Sequence, residues 1–308
     1  MHGPAPSFDN RRGIIAMLCA SALFVTNDTL VKLGSEFFPT TQIMAIRGLC
    51  AATLALIFVL MLGHGRALRS LGSPLVALRA ILEAGCAFFF MSALPFLPLA
   101  NIIAILQATP IIMTVMAIAL GFERVGWRRW AAIITGFLGV LLIVQPELGA
   151  FDFYVLYALT AAVLVAVRDL VTARIKLEVP SIVIATSTTI GVCLAGFGIG
   201  FARGDAWQDL ARPEAGYLLA AATLLVLGNL TVVMAFRNVE VAVVSPFRYA
   251  MVVVAIILGF AVFGDLPNAL ALTGIGLVVG AGIYTIHREN VVRRASAGLA
   301  SADGRRES

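Results

Sequence analysis

The sequence feature that most constrains this chain is a long interval, from Ala84 to Phe122, without any Asp, Glu, Lys or Arg. About 20 apolar residues in a helix span the hydrocarbon core of a bilayer, so the interval is too long for one span. Pro95 and Pro98 interrupt it. Because proline breaks the helical hydrogen-bond ladder, the interval predicts two consecutive membrane spans joined by a tight turn.

Composition extends this conclusion to the whole chain. Hydrophobic residues make up 60% of the 308 residues, charged residues only 13%, and the mean hydropathy is +0.98. Soluble domains carry roughly 25% charged residues, and a soluble fold of this length could not bury so much apolar surface. The net charge of +5 comes without a basic patch interleaved with aromatics, so we expect no nucleic-acid partner.

The apolar runs predict an all-α integral membrane protein with ten transmembrane helices. Their approximate ranges are 13–33, 41–62, 74–94, 100–120, 128–145, 152–173, 181–201, 215–236, 241–263 and 267–287. The first run continues past Ala22 without a small-x-small cleavage pattern, so we interpret it as an uncleaved span and not as a signal peptide.

The distribution of Lys and Arg predicts the orientation. With the N-terminus in the cytoplasm, 17 of the 22 fall in inside segments or near the inner ends of spans, and three (Lys32, Arg203 and Arg212) fall outside or near an outer end. The remaining two, Arg47 and Arg248, lie deeper within spans. Short cytoplasmic loops are enriched in Lys and Arg. The pattern therefore predicts a multi-pass protein of the cell inner (plasma) membrane with both termini cytoplasmic.

The two halves of the chain repeat. Asp28 and Asp169 are separated by the same spacing as Gly139 and Gly280, and Glu123 and Asp265 by nearly the same spacing. Five spans per repeat is an odd number, so the second half must insert with inverted topology. We predict a cytoplasmic segment 1–12, five-helix repeats at 13–145 and 152–287, and a disordered cytoplasmic tail at 288–308.

Several short motifs follow one another in a specific order. In the first half these are Asn27-Asp28 followed by Lys32, Arg47-Gly48, Glu123, and Gly136 with Gly139. In the second half they are Arg168-Asp169-Leu170-Val171-Thr172, Ser245-Pro246-Phe247-Arg248-Tyr249, Phe263-Gly264-Asp265-Leu266-Pro267 and Gly282-Ile283-Tyr284. In these motifs the chain resembles the drug/metabolite transporter superfamily over residues 13–287. It is most similar to the EamA-type ten-helix carriers and to their branch with S-adenosylmethionine and riboflavin uptake carriers. The resemblance implies two inverted five-helix bundles around a central cavity.

Charged residues near the outer end of the first two spans are candidates for substrate binding. Asp28 and Lys32 are four residues apart and share a helix face, and Arg47 lies about two turns into span two from the same side. They are interpreted either as a charged lining that binds a polar substrate or as ion pairs that lower the cost of insertion, with Lys32 also able to act in gating.

Two further charged sites lie deeper. Glu83 sits about two turns inside span three and either pairs with Arg79 or exchanges protons as a coupling group. Arg168 and Asp169, near the inner end of span six, are candidates for an inner gate or for an ion pair that holds the bundle together.

Arg248 and Tyr249, about two turns into span nine, are the leading candidates for substrate contact because Arg248 has no counterpart in the first half. We expect Arg248 to face either a cavity, which we favour, or a carboxylate on another helix, for which Glu83 is the candidate. The amides Asn101, Gln107 and Asn229 either join helices or line the cavity.

These features predict a secondary transporter of a small polar or amphiphilic metabolite, similar to S-adenosylmethionine, riboflavin or an amino acid, with the substrate near the midplane between the repeats. The alternative is an exporter of the same fold. An intramembrane enzyme is less favoured because no His/Cys set accompanies the spans, and a scaffold subunit because it would not need charges buried in both halves. The sequence contains no P-loop, so we expect transport that is not driven directly by ATP. We expect no cofactor and no metal. Protons are a candidate coupling ion, and the oligomeric state is left open, a homodimer included.

Overall fold

The computed structural model of the chain describes residues 10–119, 127–145, 153–172, 174–175, 179–236 and 241–303. Within these ranges the secondary structure is helical, without strands. In the described part of the chain, nine stretches of helix are long and apolar enough to cross a membrane, and Trp130–Val144 is a shorter apolar helix. The all-α membrane fold predicted from the sequence is confirmed.

The helices follow the predicted spans. In the first half they are α1 (Asn10–Gly34), α2 (Thr40–Met61), α3 (Pro74–Ala93), α4 (Leu99–Leu106), α5 (Thr109–Ala119) and α6 (Trp127–Val144). In the second half they are α7 (Phe153–Thr172), α8 (Ser181–Arg203), α9 (Ala215–Ala235), α10 (Val241–Val244), α11 (Ala250–Leu258) and α12 (Ala269–Asp303). Short 3-10 segments cover Gly65–Gly72 and Ser245–Tyr249, and a π turn covers Gly259–Phe263.

The fourth and ninth spans are each broken near a proline. Pro110 follows the break between α4 and α5, and Pro246 lies in the 3-10 segment between α10 and α11. A break exposes backbone groups that must find new partners inside the membrane. Gln107, at one break, donates its amide Nε2 to the backbone oxygen of Arg248 at the other, over 3.4 Å. The two broken spans therefore support each other across the halves.

Helix packing follows an approximate two-fold symmetry. Helix α1 packs against α9 and α3 packs against α7, while α2 packs against α8 and α6 against α12. If the two halves are exchanged, the α1–α9 pair becomes the α3–α7 pair, whereas the α2–α8 and α6–α12 pairs remain the same. This is the packing expected of two inverted five-helix repeats.

Small residues bring these helices close together. A Cβ added at Gly139 on α6 would lie 2.8 Å from the backbone oxygen of Gly274 on α12, and one added at Gly48 on α2 would lie 2.9 Å from the Cα of Cys193 on α8. Glycine permits such backbone approach inside membranes, where dispersion contacts, and not the hydrophobic effect, drive helix association.

The last helix is longer than the sequence analysis predicted. The apolar span ends at His287, as predicted, but helix α12 continues to Asp303, where we expected a disordered tail. The segment 288–303 is rich in Ala and Arg, which have high helix propensity, so the helix continues beyond the apolar part. Residues 304–308 lie outside the described ranges.

Candidate functional site

Six charged side chains from four helices come together between the two halves. Three are cationic and three are anionic: Asp28 on α1, Arg47 on α2, Arg79 and Glu83 on α3, and Arg168 and Asp169 on α7. We call this set the charged cluster. Its α7 members belong to the second half and the others to the first. Asp28 and Asp169 occupy equivalent positions in the two repeats, and they lie toward opposite ends of the charged cluster.

One end of the charged cluster is a closed ion-pair network around Arg168. Its Nη1 donates to Glu83 Oε2, and its Nε and Nη2 donate to Asp169 Oδ1 over 2.9 and 2.7 Å. The Arg168 side chain is only 15% exposed. All three guanidinium nitrogens are engaged, which is the arrangement that makes a buried arginine tolerable. Arg168 therefore links α7 to α3 across the halves, as one of the sequence interpretations proposed.

Arg79 adjoins this network without pairing directly with Glu83. Its Nε donates to Thr172 Oγ1 over 2.8 Å, and that hydroxyl donates to the backbone oxygen of Arg168. Its Nη1 is buried and has no hydrogen-bond partner in the described part of the chain. Glu83 is thus held by Arg168, with Arg79 as a neighbouring positive charge. The expected hydrogen-bonded pair of Glu83 with Arg79 is replaced by the pair with Arg168.

The other end of the charged cluster is organised by an amide. Asn27 Nδ2 donates to Asp28 Oδ1 over 2.9 Å, and Arg47 Nη1 donates to Asn27 Oδ1 over 3.0 Å. Arg47 is 7% exposed, yet its Nε has no hydrogen-bond partner among the described residues. Asp28 makes no ion pair within 4.0 Å among the described residues. We call these three residues the open end of the charged cluster.

Lys32 does not pair with Asp28, contrary to one of the sequence interpretations. It donates to the backbone oxygen of Leu97 over 2.8 Å, lies 3.5 Å from Asp265 Oδ2, and sits 4.7 Å from the ring centroid of Phe263. Residues four apart share a helix face, but the longer Lys32 side chain reaches the end of the helix, where a second-half carboxylate is available.

Further contacts join the halves at the same end of the molecule. The rings of Phe96 and Tyr154 stack with centroids 3.7 Å apart. Gln145 and Asn268 exchange two side-chain hydrogen bonds of 2.8 and 2.9 Å. Together with the Lys32–Asp265 pair, these contacts join the two halves at the end of the bundle that the charge distribution predicts to face outside.

The structure separates Arg248 from the charged cluster's ion pairs. Its side chain is exposed and forms no hydrogen bond or ion pair with the described residues, while Glu83 is engaged by Arg168. The Arg248–Glu83 pair, the less favoured of the two alternatives, is therefore not formed among the described residues. Tyr249 is buried against Gly282, and its hydroxyl has no partner in the described ranges.

The three amides differ in their surroundings. Gln107 joins the two broken spans through Arg248 O, and Asn229 donates to Leu225 O of its own helix over 3.0 Å. The buried Oδ1 of Asn101 has no partner among the described residues. Of the three, only Gln107 connects separate helices by a hydrogen bond within the part of the chain that the structure describes.

Sequence reasoning missed two participants. Asn27 was treated as part of a motif, but it bridges Arg47 and Asp28; an amide next to an intramembrane carboxylate was the available signal. Asp265 was treated as the end of a repeat, yet it is the partner of Lys32. No cluster of His, Cys, Asp and Glu suited to a metal ion occurs in the described part of the chain.

Comparison with known proteins agrees with this architecture. The EamA-like transporter family matches residues 11–145 and again residues 152–286. The pseudopaline exporter CntI of Pseudomonas aeruginosa is 26% identical over 279 residues, covering 87% of this chain and 94% of the exporter. The S-adenosylmethionine uptake transporter of Rickettsia prowazekii is 22% identical, covering 90% of this chain and 93% of the relative.

Two further similarities extend the comparison. The riboflavin transporter of Vibrio cholerae is 24% identical, covering 87% of this chain and 90% of the relative. A protein of known crystal structure has the same fold, with a TM-score of 0.61 at 18% identity over 92% of this chain and 98% of its own. The family matches both halves and the relatives are named as transporters, so the chain belongs to the EamA-like transporter family and is a transporter of a small metabolite.

Proposed function

We propose that this transporter binds a small polar or amphiphilic metabolite at the charged cluster and moves it by alternating access between the two halves. The observation that carries the proposal is the position of the charged cluster. It is buried among spans of both halves, and its open end has an unpaired Arg47 Nε and a carboxylate without an ion pair among the described residues. Substrate sites in inverted-repeat transporters lie near the midplane at the repeat interface.

The substrate class follows from the same site together with the relatives. Charged groups inside a membrane are costly unless paired, and they mark substrate and ion pathways. Groups of both signs at one site favour a substrate with polar or charged substituents, such as S-adenosylmethionine, riboflavin or an amino acid. Both uptake carriers and an exporter are among the relatives, so the proposal covers either direction of transport.

The contacts between halves support a conformation closed on one side. Lys32 with Asp265, Phe96 with Tyr154, and Gln145 with Asn268 all lie at the end assigned to the outside by the Lys and Arg distribution. The orientation in the inner membrane with cytoplasmic termini is part of the proposal. Opening to the outside would separate these pairs, while the charged cluster remains between the halves.

Proton coupling through Glu83 is also part of the proposal. Protonation of Glu83 would remove its charge and weaken the ion pair that joins α3 to α7 through Arg168. We expect the Glu83→Gln variant to lose the dependence of transport on a pH gradient while retaining exchange at equal pH. Uptake into proteoliposomes with and without an imposed gradient measures this. A gradient dependence equal to that of the wild type would exclude Glu83 as the coupling group.

A ligand screen tests the proposed function. A ligand that binds only the folded protein raises its stability by about 2.7 kcal/mol when present at 100 times its dissociation constant. We expect at least one of S-adenosylmethionine, riboflavin, pseudopaline and the amino acids to raise the melting temperature of the purified chain and to exchange across proteoliposomes. A panel in which no compound does either would contradict the proposal.

A further inference from the structure

We infer that the open end of the charged cluster is a subsite for the zwitterionic group of an α-amino acid. Arg47 would receive the carboxylate and Asp28 the ammonium group. This inference rests on the proposed function, because it assigns a chemical class to the same site. Riboflavin, which lacks an amino acid group, would not use the subsite, whereas S-adenosylmethionine and free amino acids would.

The contrast between the two arginines of the charged cluster is the first argument. Arg168 donates from Nε, Nη1 and Nη2 to Glu83 and Asp169, so two carboxylates already compensate its charge. Arg47 donates from Nη1 to an uncharged amide oxygen. Arg168 is therefore a structural cation, while Arg47 retains its capacity to bind an anionic group.

The unpaired Nε of Arg47 is the second argument. This atom is buried, and the residue as a whole is 7% exposed. A buried donor of a charged group without an acceptor is strongly unfavourable, and such groups are rare in folded proteins. A carboxylate is the acceptor that best matches a guanidinium, since charge-assisted bonds between the two are short and frequently bidentate.

Asn27 supplies the third argument, because it separates two opposite charges that could otherwise neutralise each other. Its amide accepts from Arg47 and donates to Asp28, so the two charged groups interact electrostatically without forming a direct ion pair. A cation and an anion held apart by an amide spacer present complementary charges to a ligand that carries one charge of each sign.

Charge balance supports the same conclusion. The charged cluster contains three cations and three anions. An α-amino-acid group adds one charge of each sign and leaves this balance unchanged, whereas a singly charged group at the subsite would leave an uncompensated charge in a low-dielectric region. The additional sulfonium charge of S-adenosylmethionine would have to lie outside the subsite.

Matched analogues in the wild-type protein provide the first test. Thermal-shift titrations of the full chain would use S-adenosylmethionine and the protein amino acids, with riboflavin as a neutral comparator. For each compound that stabilises the protein, the corresponding carboxamide removes the carboxylate and the N-acetyl derivative removes the ammonium. We expect each analogue to bind at least about tenfold more weakly than its parent.

Variants then assign each contact. Arg47→Gln should reduce the preference for the acid over its carboxamide to about twofold or less, and Asp28→Asn should do the same for the amine over its N-acetyl derivative. Arg66→Gln and Asp209→Asn, at exposed positions outside the charged cluster, serve as matched controls and should keep both preferences. The analogue titrations need no variant, so they decide the matter even if Arg47→Gln fails to fold.

Different experimental results would contradict the zwitterion subsite and the transporter proposal. If riboflavin exchanges across proteoliposomes but no zwitterion stabilises the protein, the zwitterion subsite is wrong and the transporter proposal is supported. Unchanged preferences in both variants would likewise overturn the subsite. If no compound binds or exchanges, both proposals are contradicted.

Discussion

Replacing Arg168 with Ala is expected to destabilise the protein by about 3–5 kcal/mol and to remove most of the folded protein from the membrane. Glu83 would lose its hydrogen-bonded cation and Asp169 would lose two hydrogen bonds. The Arg168 side chain is 15% exposed and those of Glu83 and Asp169 are 27% exposed, so little water is available to solvate the two carboxylates left behind. Because Arg168 and Glu83 lie on opposite halves, the change would also weaken the contact between the halves.

The yield and the thermal unfolding of the purified variant measure this effect. Arg168→Lys keeps the charge but not the planar fork, so we expect an intermediate loss of stability. Arg66→Ala, in the exposed 3-10 segment Gly65–Gly72, should behave like the wild type. A melting temperature of Arg168→Ala equal to that of the Arg66 control would show that the network contributes nothing to the fold.

The second large effect is expected from Gly196→Leu, at the crossing of α2 and α8. A Cβ at this position would collide with the backbone nitrogen of Ala45 and would lie 2.8 Å from Thr41 O and 2.9 Å from the Cα of Ala45. Backbone atoms cannot move aside as a flexible side chain would, so α2 and α8 would have to separate. Overpacking of this kind costs typically about 1–3 kcal/mol and occasionally more, and a leucine exceeds a single methyl group.

The same helix supplies the control. Gly198 lies two residues further along α8, and a Cβ there would meet no atom within 4 Å among the described residues. Gly198→Leu should therefore retain the wild-type melting temperature in detergent, while Gly196→Leu should lower it by many degrees and reduce transport. Equal stability of the two variants would mean that α2 and α8 are not packed as closely as described.

Much of the fold could be predicted from the sequence because a bilayer restricts the choices. Runs of about 20 apolar residues must be helical. The spacing that Asp28 and Asp169 share with Gly139 and Gly280 implied two inverted halves. The two broken spans each contain a proline at the break, Pro110 in one and Pro246 in the other, and proline interrupts helical hydrogen bonding. The end of the last span at His287 was predicted, but the continuation of α12 to Asp303 was not, because hydropathy indicates only the apolar part of a helix.

The candidate site was predictable as a set of residues but not as a set of partners. Position along a helix gives the depth of a side chain but says little about which distant helix it meets. The sequence therefore suggested Arg248 as the partner of Glu83, and the structure supplies Arg168 from α7 instead. Likewise, Lys32 shares a helix face with Asp28 but pairs with Asp265, which lies in the other half of the chain.

The sequence and the structure favour different arginines as the substrate contact, Arg248 and Arg47 respectively. The sequence favoured Arg248 because it lacks a counterpart in the first half, and that contact stays a prediction. The structure favours Arg47, which is buried and unsatisfied at Nε among the described residues, whereas the Arg248 side chain is exposed. Under the proposed function, we therefore expect substrate to bind at the Arg47 end of the charged cluster in this conformation.

Counterflow in proteoliposomes tests most directly whether the charged cluster carries the substrate. Vesicles containing the purified chain would be loaded with an unlabelled ligand from the screen that carries an α-amino-acid group, and entry of the labelled ligand would be followed over time. The wild type and Arg66→Gln should accumulate label transiently, and a folded Arg47→Gln protein should not. Counterflow by Arg47→Gln at the wild-type rate, under subsaturating ligand, would contradict the assignment of transport to this site.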